Sequence, residues 1–168
     1  AQSLGAGPPA RPAGSRGRIA IGSFFATKVL STGHGGIVAT SDPALAERVR
    51  DLTEYDNRPD WSPRQNLRFT ELQAALGLWQ LRRLPEFIRR RREIAACYDA
   101  QFRPTGVVAV PPAADEDYLP FRYLLRAEDA ERAFAMLRER GIDAKRPVYQ
   151  PLTRCMGGSA PRAEPCHR

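Results

Sequence analysis

Lys28 stands five residues after Ser23 in the run Ser-Phe-Phe-Ala-Thr-Lys, and Gly33, Gly35 and Gly36 follow it closely. A lysine amine can form a Schiff base with a carbonyl when its surroundings favour the neutral form. A serine hydroxyl and the backbone amides of a glycine turn can hold a phosphate. These residue types at this spacing license a lysine beside a phosphate-binding turn, and equally an ordinary surface lysine next to a flexible loop. His34 lies in the same turn without a Cys, His or carboxylate at ligand spacing, so it reads as a loop residue lining the pocket, and no metal site is expected. Lysine is scarce in the chain: of 26 Lys and Arg residues, only Lys28 and Lys145 are lysines. Any lysine chemistry therefore has two candidates.

The elements around Lys28 must display it. Ile19 to Phe25 is a short apolar run that suits a buried strand, and Gly36 to Thr40 suits a second. The glycines between them supply a tight turn, so the two strands and their connection read as a hairpin. Ser41-Asp42-Pro43 announces a helix with Leu45, Val49 and Leu52 at helical spacing. The polar run EYDNRPDWSPRQN reads as a loop, after which Thr70 and Gln73 form a capping box. Leu72, Ala75, Leu76 and Trp79 share one face of the helix so capped. Pro85 is expected to stop or kink it near Leu84. A further helix would carry Phe87, Ile88, Ile94, Tyr98 and Phe102, its other face crowded by Arg89, Arg90, Arg91 and Arg92.

Beyond Phe102 the texture changes. Gly106 to Pro111 and Leu119 to Leu125 read as short strands. Asp129 to Gly141 reads as a helix with Phe134 and Leu137 inward and Gly141 at its end. Ile142 to Tyr149 suits a returning strand, while the first 18 residues and the tail from Met156 carry no regular pattern. The alternation points to an α/β fold with a boundary near residues 103 to 106.

Composition narrows the function classes. The chain of 168 residues is 42% hydrophobic and 27% charged, which suits a globular protein. No apolar run approaches the roughly 20 residues that cross a bilayer, and the N-terminal stretch lacks the apolar centre of a signal peptide. Cys97, Cys155 and Cys166 form no C-x-x-C pair and no disulfide framework, so a reducing, cytoplasmic compartment is expected. The net charge of +7 permits an anionic partner. The Arg89 to Arg92 run lacks an aromatic stacking platform and any DNA-binding motif, so it reads as a solvated helix face rather than a nucleic-acid site. Cys155, Cys166 and His167 are assigned no chemistry; Tyr55 and Tyr149 read as packed or rim residues.

Four stretches, in order, resemble the pyridoxal-phosphate sugar aminotransferases of the DegT/DnrJ/EryC1/StrS family. SFFATK followed by STGHGG is similar to that family's S-F-[YF]-x-T-K and T-x-G-x-G-G-[MI]. AQSLGA resembles the end of D-x-A-Q-x-L-G-A. QNLRFTELQAALGLWQLRRL resembles x-N-Y-R-M-[TS]-x-[LI]-Q-A-A-x-G-x-x-Q-L, and GIDAKRPVYQPL resembles a segment of the family's C-terminal domain. The resemblance runs from Ala1 to about Leu152.

It implies a fold-type-I aminotransferase-like architecture, with residues 1–104 the C-terminal part of the large cofactor-binding domain plus connecting helices, and 105–168 part of a small C-terminal domain. Lys28 would carry pyridoxal 5'-phosphate as a Schiff base and shuttle a proton during amino transfer. Ser23 would bind the cofactor phosphate, and Gln2 would contact the ring or its phenolic oxygen. Asn66 would reach the phosphate in the neighbouring subunit of a homodimer with shared active sites. Arg68 would meet anionic groups of the substrate. The implied reaction moves an amino group from an amino-acid donor, glutamate, onto a nucleotide-linked keto sugar, for surface polysaccharides or glycosylated natural products. Retention of Lys28 speaks against the family's dehydratase branch, which has histidine there.

The departures also carry expectations. Leu67 and Phe69 replace tyrosine and methionine of the family pattern, and both remain apolar. Val148 and Thr153 stand where histidines often lie near the sugar nucleotide. The family's aspartate for the pyridinium nitrogen falls three positions before Gln2, ahead of Ala1. The chain is thus expected to be an internal fragment, with a non-catalytic dimerisation or interaction module as the alternative reading.

Overall fold

The expected hairpin forms, but Ile19 to Phe25 does not make the buried strand expected there: Ile21 is 78% exposed, and Gly36–Ala39 is exposed throughout. In a computed structural model, which describes residues 2–8, 10–108 and 118–146, β1 (Ala20–Ser23) pairs antiparallel with β2 (Gly36–Ala39). Ala20 lies opposite Ala39 and Ser23 opposite Gly36. A side chain at Gly36 would sit 2.7 Å from the Gly22 carbonyl oxygen, so only glycine permits this approach. The connection from Phe24 to Gly35 continues the pairing, with the Phe24 N–H donating to Gly35 O at 2.9 Å. Gly33 and Gly35 both have positive φ, 81° and 127°, which is why the turn needs them.

The chain divides into two compact units, Ala1–Asp99 with Pro112–Arg122, and Ala100–Pro111 with Tyr123–Arg168. In the first, α1 (Pro43–Thr53) starts at Asp42, whose carboxylate accepts from the Ala44 and Leu45 N–H groups. This satisfies two of the donors a helix start leaves open. The long α2 (Glu71–Phe102) begins at the expected box: Gln73 Oε1 accepts from the Thr70 N–H at 3.1 Å, and the Gln73 N–H donates to Thr70 Oγ1 at 3.3 Å. Ala6, Val29 and Leu119 form a small core, against which Leu84, Phe87, Ile88 and Phe121 pack. A side chain on Gly5, where φ is +87°, would overlap Ile88, so the N-terminal segment lies tightly on α2.

Pro85 does not end the helix. α2 runs unbroken for 32 residues through it. Leu84, Phe87 and Ile88 hold the segment against the core, and Arg83 pairs with Glu86 at 3.0 Å across the proline. Tertiary contact there overrides a local cost of about 3 kcal/mol. The face of Leu72, Ala75, Leu76 and Trp79 is also not the one that packs; Leu72 is 84% exposed, whereas Gln73, Ala74, Gly77 and Gln80 are half-buried.

The second unit holds α3 (Ala130–Glu139), capped by Asp129, with Gly141 at φ +72° closing its end as expected. Phe134 and Leu137 are half-buried. Leu119 to Leu125 is not a strand but contributes one antiparallel bridge, Val108 with Leu125, supported by the Arg126 N–H donating to Val107 O at 2.6 Å, while residues 109–111 of the other expected strand lie outside the described residues. Ile142 to Arg146 is not a strand, and the rest of that expected element, with Tyr149, Val148, Thr153, Cys155, Cys166, His167 and the tail, lies outside the described residues. Among the described residues no helix is long and apolar enough to cross a membrane.

Candidate functional site

Lys28 sits in a tight turn after β1, its N–H donating to Phe25 O at 2.9 Å, and it directly precedes the buried Val29 and Leu30. Those two apolar side chains anchor the loop from below and leave Lys28 half-buried. Its ammonium lies 5.9 Å from the centre of the Phe121 ring, within reach of a cation–π attraction. Arg91 approaches the same ring at 5.4 Å and donates to the Phe121 carbonyl. Among the described residues Lys28 forms no ion pair, so no carboxylate there holds its charge in place.

Ser23 ends β1, and its Oγ accepts from the Phe25 N–H at 3.3 Å. Ser23 lines a mainly apolar groove of about 540 Å³, together with Leu4, Phe24, Ile37, Phe69 and Leu78 among others. Gln2 is exposed and lies next to Ser3 and Leu4, which line that groove. Arg68 is exposed and precedes Phe69 in the same way. Lys28 and Asn66 are not among the lining residues. The structure therefore gathers Ser23 and the neighbours of Gln2 and Arg68 at one groove, while the Lys28 ammonium is turned toward Phe121.

The loop that carries Asn66 and Arg68 has its own fastening. Arg68 pairs with Asp56 and stacks over Tyr55 at 4.9 Å. Tyr55, a packed or rim residue by sequence, thus becomes a shelf for a guanidinium. Arg64, with a side chain only 5% exposed, donates to Asp51 Oδ1 from Nη2 at 2.8 Å and to Asp60 Oδ1 from Nη1 at 3.0 Å. It also donates to the Asp51 carbonyl at 3.0 Å. The guanidinium holds the Asp51 and Asp60 carboxyls below the usual carboxylate range. One side chain thus ties the loop to the last turns of α1. Nothing in the local spacing singles out Arg64, because its partners lie 13 and four residues away on different elements.

His34 packs edge-on against Phe25, ring centres 5.2 Å apart, and does not line the groove. Its carbonyl accepts from Thr32 Oγ1 at 2.6 Å and from Gln73 Nε2 at 3.0 Å. Gln80 Oε1 accepts from the Ser31 N–H at 2.9 Å. These α2 side chains were visible only as part of the helical motif; that they grip the lysine loop follows from their shared face. Of the run expected to be a solvated helix face, Arg89 and Arg90 are exposed and pair with Glu93, whereas Arg91 and Arg92 are half-buried and Arg91 packs on Phe121.

A profile of the DegT/DnrJ/EryC1/StrS aminotransferase family matches residues 1–157. The chain is 36% identical over 150 residues to the dTDP-4-dehydro-2,3,6-trideoxy-D-glucose 4-aminotransferase of Saccharopolyspora spinosa, covering 77% of this chain and 39% of that protein. It is 31% identical over 164 residues to the GDP-perosamine synthase of Caulobacter vibrioides, covering 90% of this chain and 44% of that protein. The crystal structure of the aminotransferase TlmJ from Streptoalloteichus hindustanus superposes with a TM-score of 0.73 at 33% identity, over 92% of this chain and 46% of that one. The chain therefore spans less than half the length of each of these three relatives.

Proposed function

This chain belongs to the DegT/DnrJ/EryC1/StrS aminotransferase family, and from that premise we propose that it serves pyridoxal-phosphate-dependent transfer of an amino group to a nucleotide-linked keto sugar. The observation that carries the reading is the β1–β2 hairpin: it sets Ser23 at a strand end and Lys28 in the turn that follows, within the motif the family resemblance assigns to the cofactor lysine.

The residues present fit the cofactor. Lys28 is half-buried and, among the described residues, forms no ion pair, so no carboxylate there competes with a carbonyl carbon for its amine. Ser23 Oγ already accepts a backbone N–H, which leaves its own proton to donate to a phosphate oxygen. When bound, the cofactor supplies the electron sink for amino transfer. Lys28 would hold it through Nζ and would carry a proton at that same atom. Ser23 would hold its phosphate, and Gln2 would contact its ring. Asn66 reaches the phosphate in the partner subunit of a homodimer, and Arg68, held by Asp56 and Tyr55, presents a cation to the anionic part of the substrate.

Residues 1–104 belong on this reading to the large cofactor-binding domain and 105–168 to the small one. Glutamate is the amino donor, the product enters surface polysaccharide or glycosylated natural-product synthesis, and the protein works in the cytoplasm. Two relatives named for dTDP- and GDP-linked sugars support the substrate class. The test is to add pyridoxal phosphate, follow the visible absorbance of the lysine-linked cofactor, and map the borohydride-reduced adduct. We expect the adduct on Lys28 and its loss in Lys28→Ala. An adduct that forms on Lys145 instead, or none at all, removes the cofactor role and leaves a non-catalytic interaction module as the better reading.

A further inference from the structure

Gln73, Gly77 and Gln80 recur at spacings of four and three, so they share one face of α2. That face meets Ser31 to His34, the segment just beyond Lys28. At Gly77 a side chain would come within 3.1 Å of Thr32 Cγ2, and Thr32 is only 5% exposed. Helix and loop are in closest contact there, with a glutamine on either side.

The two glutamines act in opposite senses. Gln73 Oε1 accepts from the Thr70 N–H and hydroxyl, at 3.1 and 2.9 Å. The amide nitrogen is thereby turned outward, and it donates to the His34 carbonyl at 3.0 Å. Gln80 contributes its oxygen, which accepts from the Ser31 N–H at 2.9 Å. One glutamine takes hold of the loop as a donor and the other as an acceptor, three residues apart along it. Upstream, the Lys28 N–H is fixed to Phe25 O, and the Thr32 N–H to Phe24 O, both at 2.9 Å.

We propose that Gln73, Gly77 and Gln80 are positioning residues that clasp Ser31–His34 against α2 and so fix where the Lys28 amine stands. The inference rests on the reading of Lys28 as the cofactor lysine and adds the residues that aim it. None of the three touches the reacting atoms. In this chain the helix motif supplies the surface on which the segment beyond the lysine motif is set.

The donor–acceptor asymmetry makes the proposal testable. Glutamate at position 73 keeps the acceptor for Thr70, and hence the helix cap, but sets a carboxylate oxygen against the His34 carbonyl. Glutamate at position 80 keeps the acceptor that Ser31 needs. Hydrogen exchange of residues 24–36 and acylation of Lys28 are measured on the full chain without cofactor, with Lys145 in the same molecule as the labelling reference. Borohydride-trapped pyridoxal phosphate on Lys28 is measured separately. We expect Gln73→Glu and Gln80→Leu to raise exchange and the Lys28 to Lys145 labelling ratio about three- to tenfold, the loss of roughly one hydrogen bond, and to lower the trapped adduct correspondingly. Gln80→Glu should stay within about twofold of the unaltered chain, with helix content by circular dichroism unchanged throughout. The proposal is overturned if Gln73→Glu leaves exchange and labelling unchanged, or if Gln80→Glu loosens the loop as much as Gln80→Leu. Should the exchange pattern follow expectation while the unaltered chain traps no cofactor on Lys28, the clasp stands and the cofactor reading falls.

Discussion

Gly35 shows how closely the Lys28 loop is fitted to its surroundings. Its φ is +127°, and an added side chain would overlap the Phe69 ring. Gly33, two residues earlier, has φ +81° with open space around it. Gly33→Ala should therefore cost only the backbone strain, about 1 kcal/mol, whereas Gly35→Ala adds overpacking and should cost about 2–4 kcal/mol in all. Urea midpoints of the two variants measure the difference directly. Equal losses would mean that Phe69 yields freely and does not define the loop. Arg64 is fitted as tightly by other means. Its planar fork serves Asp51 and Asp60 together, which a lysine ammonium on a single flexible stem cannot reproduce. Arg64→Lys is expected to raise proteolytic cleavage between Glu54 and Phe69 severalfold while the β1–β2 segment stays protected. Cleavage at the unaltered rate would show that the loop has another fastening.

At the scale of elements, the same loop should respond to acid. Asp51 and Asp60 have their carboxyls lowered from the usual 3.8, first of all by hydrogen bonds from Arg64. A lowered carboxylate contributes stability that is complete above 3.8 and is lost as pH falls below it. Hydrogen exchange of residues 54–69, corrected for intrinsic rates, should thus rise as pH drops below about 3.8, and Arg64→Lys should start closer to the loosened state. α2 makes a second prediction. Pro85 lacks the N–H that would donate to the Leu81 carbonyl, so Pro85→Ala should raise stability by about 1–3 kcal/mol by urea denaturation. No gain would mean that the helix has already relaxed around the proline. The elements that could be read from sequence were those with a local signature: the glycine turn, the Asp42 cap, the Thr70–Gln73 box, and α3 between Asp129 and Gly141. Those misread depended on partners distant in sequence. α2 persists through Pro85 because Leu84, Phe87 and Ile88 meet Ala6, Val29 and Leu119. Of Leu119 to Leu125, expected as a strand, only Leu125 finds a ladder partner among the described residues, Val108, 17 residues away. The contacts of Arg64 with Asp51 and of Gln80 with Ser31 leave no local mark, since those partners lie 13 and 49 residues away.

For the molecule as a whole, charge and apolar surface make different demands. The charge of +7 is spread over arginines, many of which are engaged with acids: Arg18 with Asp42, Arg48 with Asp51, Arg83 with Glu86, Arg90 with Glu93. The apolar surface is more concentrated. Ile21, Ile37, Leu78 and Leu81 are 78%, 51%, 59% and 51% exposed and line one groove beside a sheet that, among the described residues, has two strands. A hairpin of two strands is marginal in water without something against its face, and a contiguous apolar patch draws association or ligand. Burial of a leucine there would contribute about 1.5–3 kcal/mol. We expect the chain to bind a hydrophobic dye and to self-associate as concentration rises, with little dependence on salt, since screening weakens charge pairs and leaves apolar contact intact. Leu78→Glu, which puts a charge on the groove wall at a residue 59% exposed, should lower dye fluorescence and association together at unchanged helix content. Light scattering across a salt series separates the two forces: association that dissolves in about 0.5 M salt and survives Leu78→Glu would assign the surface chemistry to the arginines and leave the groove without a role.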